Sequence, residues 1–128
     1  KMKSYLDYGM FAPLQISAAH VLDNATDYPE KIRKLYKERR DFLVKGFREA
    51  GWDVPSPKAS MYVWARLPEK YQHLTSLEFS TKLLSEAGIV VSPGNGFGDA
   101  GEGYVRIALV QNMERIADAI IRVKKFLS

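Results

Sequence analysis

The chain has 128 residues, 46% hydrophobic and 27% charged, with a formal net charge of +4 at pH 7. That is one domain's worth of chain, enough to bury a core, and its composition argues against disorder. No apolar run approaches the ~20 residues that cross a bilayer, and no stretch reads as a signal peptide. The lack of cysteine excludes disulfides and thiolate metal sites and suits a reducing, cytoplasmic compartment.

The first residues, Lys1 to Gly9, read as the tail of a helix already under way, so the chain is expected to be a piece of a longer protein. After the turn at Gly9, Pro13 suits the first turn of a helix, where its missing N–H costs little. Leu14, Ser17, Ala18, Val21 and Leu22 keep helical spacing. A second helix is expected from Asp27 to Ala50, with Ile32, Leu35, Tyr36, Phe42, Leu43 and Phe47 as its apolar stripe and Gly51 as its stop. It also carries Lys31, Arg33, Lys34, Lys37, Arg39, Arg40, Lys45 and Arg48. No aromatic or glycine pattern of a nucleic-acid motif accompanies these charges, so a solvated face is expected, without a nucleic-acid partner.

The period then changes. Trp52 and Val54 predict a short strand. Ser60 to Leu67 alternates, with Ser60, Tyr62, Trp64 and Arg66 on one face and Met61, Val63, Ala65 and Leu67 on the other. Thr75 and Glu78 fit a capping box that starts a helix, in which Phe79, Leu83, Leu84 and Ala87 face inward before Gly88 ends it. Ile89 to Pro93 predicts a buried strand. Tyr104 to Leu109 predicts another, with Val105, Ile107 and Leu109 on one side and Tyr104, Arg106 and Ala108 on the other. Asn112 can cap a last helix through Leu127, with Ile116, Ile120, Val123 and Phe126 inward. The expected fold is α+β in two layers, a small mixed or antiparallel sheet covered by helices on one side.

Gly96-Phe97-Gly98-Asp99-Ala100-Gly101 matches G-x-G-x-x-G. A dinucleotide site needs those glycines to open a helix whose N-terminus holds the pyrophosphate. Gly103 to Ala108, just after them, is instead β-branched and alternating, so the glycines are expected to serve tight turns and close backbone approach. Arg106 leaves two readings open. It is a surface or internally paired arginine, or its planar fork clamps a ligand carboxylate. His20 and His73 stand apart from other ligand types and predict no metal site.

"SPGNGFGDAGEGYVRIAL" and "PSPKASMYVWARLPE", preceded by "KSYLDYGMFAPLQISAAHVL", resemble the C-terminal part of a pyridoxal-phosphate aminotransferase of the aspartate aminotransferase superfamily. The branch resembled holds alanine, aspartate and LL-diaminopimelate aminotransferases. The resemblance spans essentially the whole chain, and implies residues 1–27 as a connecting segment and 28–128 as the small domain. It implies that Arg106 binds the substrate α-carboxylate, that Met61, Asn95 and Gly96 line the pocket, and that Tyr8 and Phe11 approach a neighbouring subunit in a homodimer. The cofactor lysine motif has no match here. The resemblance therefore implies pyridoxal 5'-phosphate in the full-length parent, with an amino acid and a 2-oxo acid as substrates, and no cofactor on this fragment, which is expected to be inactive alone. Within the superfamily, a lyase or a non-catalytic regulator is the alternative. Outside it, the alternative is a stand-alone domain that binds small molecules or nucleic acid.

Overall fold

The computed structural model describes residues 9–128. The chain divides into two compact units, residues 1–35 and 36–128. In the first, α1 (Ala12–Asn24) starts after Phe11, with Pro13 in its first turn. The Phe11 carbonyl accepts from the Leu14 amide at 3.0 Å, and the Gln15 side chain donates to the Met10 carbonyl at 2.6 Å. The apolar spacing expected to make a helix face does make a helix, yet none of its residues is buried. Near the start of α2 (Tyr28–Glu49), Arg33 donates twice to Glu30.

The second unit carries the remainder of α2, then β1 (Tyr62–Arg66), α3 (Ser76–Ala87), β2 (Ser92–Pro93), β3 (Tyr104–Ala108) and α4 (Met113–Leu127). Single 3-10 turns lie at Glu69–Tyr71, Gly94–Phe97 and Asp99–Gly101. The three strands form one sheet in the order β1-β3-β2, and both pairings are antiparallel. Period-2 alternation puts Val63, Ala65 and Leu67 of β1 and its exit beside Val105, Ile107 and Leu109 of β3. All six are buried, in one cluster with Leu43, Val44 and Phe47 of α2, Phe79, Leu83 and Ala87 of α3, and Ile116 and Val123 of α4. The helices therefore cover one face of the sheet, as expected.

The helix ends follow local chemistry. The Thr75 hydroxyl accepts from the Glu78 amide while the Glu78 carboxylate accepts from the Thr75 amide, closing the capping box. Gly88 ends α3 at φ 64°, and the Asn112 side chain accepts from the Arg115 amide at the start of α4.

Four expectations are corrected. Trp52 and Val54 are buried but form no strand: the Trp52 amide bonds to the Phe47 carbonyl at 2.9 Å, and Arg48 takes the Val54 carbonyl at 2.9 Å. Their backbone groups serve the end of α2, and Pro55 and Pro57 bring no amides to a ladder. The strand expected over Ile89 to Pro93 shrinks to Ser92–Pro93, with the Ile89 amide reaching back to the Leu83 carbonyl. Leu84 is 50% exposed, and Leu35 and Phe42 are also exposed, because burial on α3 and α2 follows stripes narrower than the spacing suggests. The basic face of α2 is not simply solvated. Arg39, Arg40 and Arg48 donate to the carbonyls of Leu109, Pro57 and Val54, tying the helix to the loops at the sheet's ends.

Candidate functional site

The sheet's second face carries no helix-facing aliphatic residues. From β1 it presents Tyr62, Trp64 and Arg66, and from β3 Tyr104, Arg106 and Ala108. The antiparallel register sets Arg106 opposite both Trp64 and Ser92. Arg106 is half-buried, with its guanidinium carbon 4.3 Å from the centre of the Tyr62 ring and 4.4 Å from that of Phe97. Trp64 meets Phe97 edge-on at 5.6 Å and stacks on Tyr104 at 5.8 Å. The Arg106 guanidinium donates to the Ser92 hydroxyl at 3.5 Å, the outer limit of a hydrogen bond. It joins none of the ion pairs among the described residues. Of the two readings left open by the sequence, an internal carboxylate partner is therefore not what the described residues provide.

The glycine loop is braced beneath this face. Gly94 and Gly101 lie back to back, so a Cβ on either would run into the other's backbone carbonyl. That close approach explains two of the glycines without a phosphate. The Asn95 amide donates to the Ser76 hydroxyl at 3.3 Å. Glu102 accepts from the Ser76 amide at 2.6 Å and the Gly103 amide at 3.0 Å. Those bonds, the Ser76 amide foremost, hold the Glu102 carboxyl below the ordinary range of a glutamate. A carboxylate at the start of α3 also meets the positive end of the helix.

The structure brings Arg106 and the 3-10 turn of Asn95 and Gly96 together through Phe97. Asn95 and Gly96 are exposed, and a Cβ on Gly96 would point into open space. Met61 is half-buried just before β1, and its carbonyl accepts from the Leu109 amide at 2.9 Å. Ser60 beside it has φ 78°, a left-handed conformation that costs a non-glycine residue about 1 kcal/mol or more. Phe11, 71% exposed, belongs to the first unit. Tyr8 lies outside the described residues. The partners of Arg106 that sequence reasoning missed are Tyr62, Phe97 and Ser92. Alternation placed Tyr62 on an outer face, and antiparallel pairing of the two alternating runs would have put it next to Arg106. No periodicity marks Phe97.

A separate cleft of about 510 Å³ beside α2 and α4 includes Leu43, Ile107, Arg115, Ile116 and Arg122 in its walls. Arg122 there is paired with Asp118 at 2.7 Å, and Arg106 is not part of it.

The family model for aminotransferase class I and II matches residues 4–120. This chain belongs to that family. It is 54% identical over 124 residues to the glutamate-pyruvate aminotransferase AlaC of Escherichia coli K12, covering 97% of this chain and 30% of that protein. With the LL-diaminopimelate aminotransferase of Halothermothrix orenii it shares 47% identity, over 97% of this chain and 31% of the relative. Among solved structures, substrate-bound BacF from Bacillus subtilis aligns with a TM-score of 0.89 at 35% identity, over 98% of this chain and 32% of that one. The chain thus spans about a third of the length of these aminotransferases. The mixed helix and antiparallel sheet is the part of the aminotransferase that matches.

Proposed function

We propose that this chain is the C-terminal portion of a pyridoxal-phosphate-dependent aminotransferase, with residues 1–27 connecting to the rest of the protein and 28–128 as its small domain. Arg106 binds the α-carboxylate shared by the amino acid and the 2-oxo acid. The observation that carries this reading is a guanidinium on the open face of the sheet, flanked by two aromatic rings and outside every ion pair among the described residues. A planar fork with unspent donors suits a carboxylate. Met61, Asn95 and Gly96 line the same pocket.

The side chains of this face do not fit the cofactor itself. Tyr62, Trp64, Arg66, Tyr104, Arg106 and Ala108 include no lysine amine to hold it, and the braced glycine loop is closed by Gly94 against Gly101 instead of forming a phosphate cradle. The fragment alone is therefore expected neither to hold pyridoxal phosphate nor to transaminate. When bound by the longer protein, the cofactor supplies the electron sink. What this chain contributes is orientation: gripping the carboxylate fixes the rotation of the substrate about its α-carbon.

The longer protein works as a cytoplasmic homodimer, with Phe11 near the neighbouring subunit. In support, Phe11 just before α1 and Leu14, Ile16, Val21 and Leu22 within it are all exposed, a surface suited to cover by other protein. None of the described helices is long and apolar enough to cross a membrane.

The test is steady-state kinetics of the full-length enzyme and its Arg106→Lys variant, with cofactor content checked by absorbance. Lysine keeps the charge and loses the fork. The expected loss is about 2–4 kcal/mol of transition-state binding, roughly 30- to 1000-fold in kcat/KM, with cofactor content unchanged. Near-normal kcat/KM in the variant rejects the assignment.

A further inference from the structure

We infer that Tyr62 and Phe97 are positioning residues for carboxylate recognition: their rings hold the Arg106 guanidinium in place while leaving its hydrogen-bond donors free. The inference rests on the reading of Arg106 as the carboxylate anchor. Both ring centres stand within 4.4 Å of the guanidinium carbon, well inside the range of a cation–π attraction. A ring face attracts the charge but occupies no N–H in a conventional hydrogen bond. The guanidinium's hydrogen bond, to Ser92, is at its outer limit of 3.5 Å. An arginine tethered by carboxylates would be equally rigid, but its donors would be consumed and its charge neutralised.

The two rings are themselves held. Tyr62 is fixed in β1, opposite Ala108. Phe97 sits in the 3-10 turn braced by Ser76 and by the Gly94–Gly101 contact, and Trp64 supports it edge-on with Tyr104 stacked behind. Phe97 is 51% exposed in this chain, and the aromatic and cationic contacts it makes here are with Arg106 and Trp64. A free arginine side chain gives up much rotamer freedom when it grips a ligand; here the rings restrict that freedom before substrate arrives.

The consequence is selective. Removing a ring weakens ligands through their carboxylate and leaves ligands without one unaffected. The test uses the full-length enzyme and its Tyr62→Leu, Tyr62→Phe, Phe97→Leu and Arg106→Lys variants. Two probes are compared, the amino acid with the highest wild-type kcat/KM and the amine that lacks only its carboxylate. Tyr62→Leu and Phe97→Leu are each expected to raise KM for the amino acid about 3- to 30-fold, with kcat changed less than about 3-fold. Reaction with the amine stays unchanged, and Tyr62→Phe retains the wild-type KM because it keeps the ring. Equal losses with the amine mean that the rings act on the fold at large, and overturn the proposal. Unchanged KM in both leucine variants alongside a large loss in Arg106→Lys overturns it while sparing the anchor. If Arg106→Lys is also unaffected, anchor and rings fall together.

Discussion

The two faces of the β1–β3 pair are built from alternate residues of the same two strands, yet they differ in chemistry. The covered face is aliphatic: Val63, Ala65, Val105 and Ile107 disappear under three helices. The open face is aromatic and cationic, with Trp64 37% exposed in this chain. Burial accounts for the first, at about 25 cal/mol per Å² of apolar surface removed from water. It does not account for the second, where Tyr62, Phe97, Trp64 and Tyr104 are ordered by contact with one another and with Arg106. A pleated strand separates the two tasks without extra chain, since neighbouring residues point to opposite sides. Stability can then be fixed on one side while chemistry is set on the other.

The largest effect should come from beneath the covered face. Phe79 is fully buried between Trp52 and Phe126, so Phe79→Ala should cost about 3–5 kcal/mol in urea unfolding. A loss below ~1 kcal/mol would break the claim that this side carries stability. Gly101→Ala comes next. Its methyl meets the Gly94 carbonyl, and the Cβ of a matching Gly94→Ala would stand 2.6 Å from the Tyr104 carbonyl. About 1–3 kcal/mol of overpacking strain is expected by the same measurement. Because that loop carries Phe97, KM for amino acid in the full-length enzyme should rise as well, which sharpens the link between the braced loop and the open face. Thr75→Ala removes the hydroxyl of the capping box and should cost about 1 kcal/mol while leaving KM unchanged.

The smallest effect is a pH dependence at Glu102. Its folded carboxyl lies below its ordinary value because amides of Ser76 and Gly103 donate to the carboxylate. A depressed carboxyl stabilises the fold above the unfolded value of about 4.3, and the contribution disappears as pH falls through the folded value. Wild type should therefore be more stable than Glu102→Gln at pH 7, and the gap should narrow at pH 3. A gap that is constant between the two pH values would show that the carboxylate charge is irrelevant there.

Much of the covered face was legible because its signals are local. The capping box at Thr75, the stop at Gly88, the cap at Asn112 and the alternation in the two longer strands each depend on a few neighbouring residues, and each appears where expected. Trp52 and Val54 misled because two buried residues spaced by one look the same whether their backbone bonds to a strand or to a helix end. Arg106 stood out as the lone charge in the apolar strand Tyr104 to Leu109. Its surroundings did not, since Tyr62 lies 44 positions away in sequence and meets it only through the register of β1 on β3. Phe97 sits among glycines, where no period indicates a direction. The arginines of α2 read as surface charge because long side chains can turn back to carbonyls that are distant in sequence, as Arg39 does to Leu109.

The central claim is that Arg106 grips a carboxylate on the open face between Tyr62 and Phe97. It is tested most directly by a crystal structure of the full-length enzyme with a bound amino acid substrate analogue. The account predicts both carboxylate oxygens at about 2.7–3.0 Å from Arg106 nitrogens, with the two rings still against the guanidinium. A carboxylate held by other residues, with Arg106 more than about 4 Å away, would contradict it.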